Sequence, residues 1–179
     1  MSRIAIPAVE TATGATADLY ARIKKSAGGK LPNLYATLGY LAPQSLSAVL
    51  DAEAVLGAAS LTRHDLETIK LLMSELSGCD YCVAAHSMIG KLAGLSPDVL
   101  RSIRAGEPTG DAKRDALVRF VRVLQQSRGT IAQNEVDTIR AAGYTDAQLA
   151  DIALTIALIT FTNTFNRIND TELDFPPVQ

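Results

Sequence analysis

Two cysteines three residues apart, with a histidine one helical turn beyond them, are the residues of this 179-residue chain best suited by type and spacing to do chemistry. They lie in the segment Ser77-Gly78-Cys79-Asp80-Tyr81-Cys82-Val83-Ala84-Ala85-His86. Gly78 marks a helix start, which puts Cys79 near the N-cap and Cys82 near the third helical position. Unpaired backbone N–H groups and the helix dipole at such a start stabilise a thiolate. Three helical residues separate the two Cα atoms by roughly 5–6 Å, inside the range a disulfide accepts. The pair can therefore cycle between dithiol and disulfide with little backbone movement. His86 shares a helix face with Cys82, and helical side chains lean toward the N-terminus, so its imidazole is aimed at Cys82. Cys79 is seven residues from His86, roughly 10 Å along the axis. Cys82 is thus expected to be the activated nucleophile and Cys79 the resolving thiol.

A carboxylate for this histidine is available on the preceding helix. If the chain folds back at Ser77-Gly78, Glu67 lies about 16 Å from the hinge and His86 about 12 Å, at 1.5 Å per residue. The two reach similar heights and can pair directly or through a water, which would orient the imidazole and raise its basicity. Glu75 is the rival carboxylate, but it falls in the last turn before the break. Metal binding is the competing chemistry, with His86 and Glu67 as third and fourth ligands for zinc. Structural zinc usually recruits a second Cys or His pair, and the chain has no further cysteine; its other histidine, His64, is read as solvent-exposed. Haem attachment would need a histidine directly after Cys82, where Val83 stands. A Cys79–Cys82 bridge closes too short a loop to add much stability, so redox work explains the pair better than stapling. Tyr81 is read as a packing residue.

The elements around this segment are helical. Helices are predicted over 15–26 and 32–41, and from Pro43 to about Ala59. Thr62-Arg63-His64-Asp65 reads as a capping box that opens a helix through Leu76. The cysteine helix runs from about Cys79 to Leu92. Ser96-Pro97 opens a short helix ending at Gly106. Further helices are expected over 111–127, 134–142 and 146–170. No alternating apolar run is bounded by hairpin turns, so strands are not needed. The fold class is therefore all-α, a compact multi-helix domain over 1–179. The last helix is apolar on nearly every side from Ile152 to Ile159, which marks either a central helix of the protomer or a helix covered by another subunit. Asn163, Asn166 and Asn169 form a stripe along it, read as interhelical or subunit hydrogen bonding, with a polar wall of the substrate pocket as the alternative.

Composition sets the outer limits. Lys and Arg total 17 against 19 Asp and Glu, a formal net charge of −2. Such a balance provides no electrostatic footprint for nucleic acid or an anionic membrane. The N-terminus has no secretory pattern. The greasy run from Ile152 to Phe161 is shorter than the roughly 20 residues a bilayer needs. Neither nucleic acid nor membrane is an expected partner, and the expected compartment is the cytoplasm.

Glu67, eleven intervening residues, then Cys79-x-x-Cys82-x-x-x-His86 resembles the signature of the alkylhydroperoxidase D-like, or carboxymuconolactone decarboxylase, superfamily. Leu66-Glu67-Thr68-Ile69 and Ala93-Gly94-Leu95-Ser96 also fit it, and the match is tight over about 62–96. Asn163-Thr164-Phe165-Asn166 and Asp174-Phe175-Pro176-Pro177 are similar to its peroxidase-related members. The resemblance implies an all-helical fold in a homo-oligomer, a trimer or hexamer. It implies reduction of hydrogen peroxide or organic hydroperoxides. Carried over by position, Cys82 is the peroxidatic thiol, Cys79 the resolving thiol, and His86 with Glu67 the proton relay. An external dithiol, of lipoyl or thioredoxin type, would recycle the pair, with no metal, flavin or haem. The best-known members carry a second histidine between the cysteines, where this chain has Asp80 and Tyr81. Decarboxylase members lack the cysteine pair. The competing readings are a general protein disulfide reductase and a non-enzymatic zinc-binding or scaffold protein.

Overall fold

The computed structural model describes residues 2–178, and its regular structure is helical throughout. A single 3₁₀ turn, Val9–Thr11, precedes α1 (Gly14–Ser26), α2 (Asn33–Leu41) and α3 (Pro43–Ala58). Then come α4 (Arg63–Ser77), α5 (Asp80–Ala93), α6 (Pro97–Ala105), α7 (Ala112–Gln126), α8 (Gln133–Ala141) and α9 (Asp146–Asn169). The ends fall within two residues of the sequence reading, and side-chain caps set several of the starts. Thr62 and Asp65 form the capping box at the head of α4. Ser96 caps α6, and Thr145 with Gln148 boxes the start of α9.

α4 is the centre of the fold. It packs against α5, α6, α7 and α9. Ten consecutive residues, Asp65 to Ser74, are buried. On one side lies the larger apolar cluster, where Ile69, Leu72 and Met73 meet Leu100, Ile103, Leu117, Val121, Ile152 and Ile159. Such a cluster supplies most of the folding free energy, about 1.5–3 kcal/mol for each fully buried large side chain. Two charged residues buried in this stretch have partners: Tyr144 Oη donates to Asp65 at 2.7 Å, and Lys70 Nζ donates to Glu53 at 2.6 Å. Without them the burial would carry a desolvation penalty.

α9 is not the central helix. Only 22% of its most apolar window is buried, and Phe161 and Ile168 stand exposed at 38% and 60%. It is long and apolar enough to cross a bilayer by length and composition. Its buried stripe of Ile152, Thr155, Ile159, Thr162 and the three asparagines instead lies against the protein interior. A second, smaller cluster, built from α1, α2 and α3 with the head of α5, holds Ile23, Leu34, Leu38, Leu46, Tyr81 and both cysteines. The C-terminal tail closes over it. Asp174 accepts from the Asn33 backbone N–H at 2.8 Å, and Phe175 meets Tyr81 edge to face at 5.3 Å. Tyr81 is thus a packing residue, as its sequence position suggested.

Candidate functional site

The site is built at the hinge between α4 and α5. Gly78 closes α4 in the left-handed region at φ 66°, a conformation glycine adopts at no steric cost. The turn sends α5 back along α4, so that residues at equal distance from the hinge meet. Cys79 is the N-cap of α5, and its sulfur accepts from the Cys82 backbone N–H at 3.4 Å. The two sulfurs are 2.8 Å apart, both are free thiols, and both are buried.

That contact couples the two ionisations. A thiol hydrogen bond from Cys82 holds the Cys79 thiol below its usual range. The same contact, with burial and the neighbouring charge, pushes Cys82 up, against a lowering hydrogen bond from Asn166. The pair therefore gives up its first proton readily and resists losing a second. The head of a helix is where one such negative charge is best held.

Glu67 reaches His86 as the fold-back predicted. Its Oε2 lies 2.9 Å from the imidazole Nδ1, between side chains that are 8% and 15% exposed. Burial pushes the Glu67 carboxyl up, but the charge and hydrogen bond of His86, then Lys70 and Arg63, outweigh it and hold the group below the usual carboxylate value. A carboxylate accepting from Nδ1–H leaves Nε2 as the basic nitrogen. Among the described residues no direct hydrogen bond joins His86 to Cys82, so a proton passing between them needs a bridging molecule. The group that does touch the Cys82 sulfur is Asn166 of α9, whose Nδ2 donates to it at 3.1 Å.

The asparagine stripe divides by position. Asn163 donates to the Met73 carbonyl at 3.2 Å and accepts from Ser74, which ties α9 to α4. Asn169 accepts from the Ile4 backbone N–H and so holds the N-terminal segment. Asn166 alone belongs to the sulfur site. The rival carboxylate Glu75 turns away and pairs with Arg104 of α6 at 2.6 Å. His64, read as exposed, is half-buried: its Nε2 meets the Ala93 carbonyl at 2.8 Å and ties the head of α4 to the end of α5. Among the described residues no three His, Cys, Asp or Glu side chains gather in a metal-binding group.

Two residues near the site were missed in the sequence. Lys70 sits one turn after Glu67, buried, paired with Glu53 of α3, and close enough to lower the Glu67 carboxyl. Its spacing from Glu67 was the available signal. Tyr35 of α2 packs on the cysteine cluster, and its phenol is pushed up to about 12 by burial and by the charges of Glu53, Cys82 and Glu67. Nothing in the sequence connects Tyr35 to α5.

Comparison with known proteins agrees with the resemblance read from the sequence. Residues 43–122 match the carboxymuconolactone decarboxylase family. An alkylhydroperoxidase D core from Ralstonia eutropha JMP134, described as an uncharacterised peroxidase-related protein, superposes with a TM-score of 0.83 at 21% identity, covering 97% of this chain and 92% of that one. A peroxidase-related protein from Silicibacter sp. TM1040 gives 0.79 at 19% identity, covering 96% and 91%. The debrominase Bmp8 gives 0.72 at 16% identity, covering 89% and 86%. At these identities the likeness shows a shared fold. No curated protein matches the chain.

Proposed function

We propose that this chain, whose residues 43–122 belong to the carboxymuconolactone decarboxylase family, is a thiol peroxidase that reduces hydrogen peroxide or organic hydroperoxides through a dithiol–disulfide cycle. The observation that carries the reading is one arrangement: two free sulfurs 2.8 Å apart at a helix head, on the same helix as an imidazole bonded to an ionised, buried glutamate.

Cys82, with Asn166 donating to its sulfur and His86 one turn on, is the attacking thiol. The resting sulfur contact favours the charge on Cys79 and the proton on Cys82, so this role requires the relay to draw that proton off Cys82. His86, held by Glu67, takes the proton through the bound substrate or a water. The Cys82 thiolate attacks the terminal oxygen of ROOH; an S–O bond forms, the O–O bond breaks, and the departing RO⁻ takes the proton from His86. The sulfur has lost two electrons and stands as a sulfenic acid. Cys79 attacks that sulfur, the S–S bond forms and water leaves. An external dithiol then restores both thiols by exchange, which suits a reducing compartment such as the cytoplasm.

The two cysteines are 2% and 3% exposed. A small hydroperoxide fits such burial better than the disulfide of a folded protein partner, and a slender dithiol of lipoyl type suits it as reductant. We also propose that copies of the chain associate through the uncovered apolar face of α9, in a trimer or hexamer. Ile168→Asp is then expected to lower the mass seen by sedimentation.

The primary test is peroxide consumption with a dithiol reductant. Cys82→Ser abolishes it, and Cys79→Ser stalls after one sulfenic acid, trapped by a sulfenic-specific label. The reverse pattern would move the nucleophile to Cys79. No consumption by the intact protein, whatever the peroxide, would sink the reading.

A further inference from the structure

Asn166 carries an unexplained atom. The residue is 2% exposed and its Nδ2 is committed to the Cys82 sulfur at 3.1 Å. Its amide oxygen, Oδ1, is fully buried and has no hydrogen-bond partner. Buried acceptors are nearly always satisfied, and one left bare costs stability. The other two orphaned side-chain atoms among the described residues are hydroxyls, Thr68 Oγ1 and Ser87 Oγ. Asn166 Oδ1 is the one whose own side chain is bonded to a sulfur.

What would satisfy it is a donor delivered next to that sulfur. An organic hydroperoxide has one hydrogen-bond donor, its terminal O–H, and that oxygen is the one a thiolate attacks; hydrogen peroxide carries an O–H on either oxygen. We infer that Asn166 is a substrate-docking residue: its N–H holds the Cys82 sulfur while its Oδ1 accepts the hydrogen bond from the hydroperoxide O–H. Nucleophile and electrophilic oxygen are then held by the two ends of one planar amide. This draws them toward the separation of about 3–3.5 Å that a near-attack arrangement needs. The transferred oxygen keeps its hydrogen in the sulfenic acid, so the bond to Oδ1 survives the step. The amide changes neither charge nor oxidation state. The inference rests on the thiol-peroxidase reading and deepens it. It names the group that selects substrates bearing an O–H on the reacting oxygen.

The test separates docking from activation of the sulfur. In a Cys79→Ser background, where one sulfur reports, two second-order rates are measured at Cys82. One is sulfenic acid formation by tert-butyl hydroperoxide; the other is alkylation by iodoacetamide, which needs the thiolate but offers Oδ1 no acidic O–H. Asn166→Leu keeps the volume and removes both amide groups, and an apolar side chain suits a site this buried. Its ratio of peroxide rate to alkylation rate is expected to fall about tenfold or more, the equivalent of one lost hydrogen bond. Asn166→Asp keeps an acceptor in place. Both of its rates drop because an anion faces the thiolate, yet the ratio stays near that of the unsubstituted residue. An unchanged ratio in Asn166→Leu, or a ratio in Asn166→Asp as low as in Asn166→Leu, overturns the inference. Absence of sulfenic acid in the Asn166-containing background overturns instead the peroxidase reading beneath it.

Discussion

The stretch of α9 up to Ile159 contributes Ile152 and Ile159 to the large apolar cluster, with Leu149, Leu154, Ile156 and Leu158 packed at its edge. The stretch after Ile159 contributes Thr162, Asn163, Asn166 and Asn169, all buried and all polar. Two turns apart on one helix, the same kind of position is filled by opposite chemistry. Apolar burial stabilises with no demand on direction. A buried amide stabilises only where its partners are placed, and an unplaced one costs about 1–3 kcal/mol. The later stretch therefore gains little stability for its position in the core. What it gains is direction: one amide aimed at a backbone carbonyl of α4, one at a sulfur, one at the N-terminal segment.

The sharpest way to break this division is to exchange the effects. Glu67→Gln, on the directional side, is expected to lower peroxide turnover by about 10²–10⁴-fold, the usual weight of a positioned proton relay, with a smaller loss of stability than an apolar truncation because the amide oxygen still accepts from His86 Nδ1. Ile152→Ala, on the apolar side, is expected to cost about 2–5 kcal/mol in chemical denaturation because it opens a cavity, with turnover per folded molecule unchanged. A large loss of stability in the first, or of activity in the second, would show that core and site are not separate. Between them stands Asn163→Ala. It removes an amide that ties α9 to α4 without touching the sulfurs, so about 1–3 kcal/mol of stability is expected to go while the rate of Cys82 oxidation holds. A fall in that rate would mean that Asn163 sets the position of Asn166, one turn on.

The sequence made the site legible where its parts are close along the chain. Glu67, Cys79, Cys82 and His86 lie on two consecutive helices joined by one glycine hinge, so rise per residue was enough to bring carboxylate and imidazole together. Asn166 is 84 residues from Cys82, and its contact depends on how α9 lies across α4 and α5. Its stripe at spacing three was visible, but the same stripe serves interhelical, chain-end and sulfur contacts, and nothing local separates the three. Helix ends were legible because capping is local. Which helix is central was not. α9 looks greasiest, whereas α4 carries Asp65, Glu67, Lys70 and Ser74, and a count of apolar residues puts it at the surface. Its burial depends on partners supplied from afar: Tyr144 for Asp65, Glu53 for Lys70, His86 for Glu67 and Asn163 for Ser74.

The smallest expected effect tests how far the directional region extends. Lys70 is one of the charges holding the Glu67 carboxyl down, and Glu53 is its ion-pair partner. A carboxyl held low by its surroundings keeps its interaction energy above its unfolded value and loses it as pH falls through the folded one. The relay needs Glu67 ionised, so peroxide turnover should have an acid limb below neutral pH. Lys70→Met removes a lowering charge and leaves the Glu53 carboxylate behind; the Glu67 carboxyl then rises and the acid limb moves to higher pH. Glu53→Gln does the reverse. It frees the lysine charge to act on Glu67 alone and moves the limb to lower pH. Each shift is a matter of a few-fold in rate on the limb, since tenfold would need a full pKa unit. The opposed signs make the measurement decisive, because general damage to the fold would slow both variants without moving their limbs apart. If the limbs move together or stay in place, the α3–α4 ion pair is packing alone and the directional region ends at Glu67.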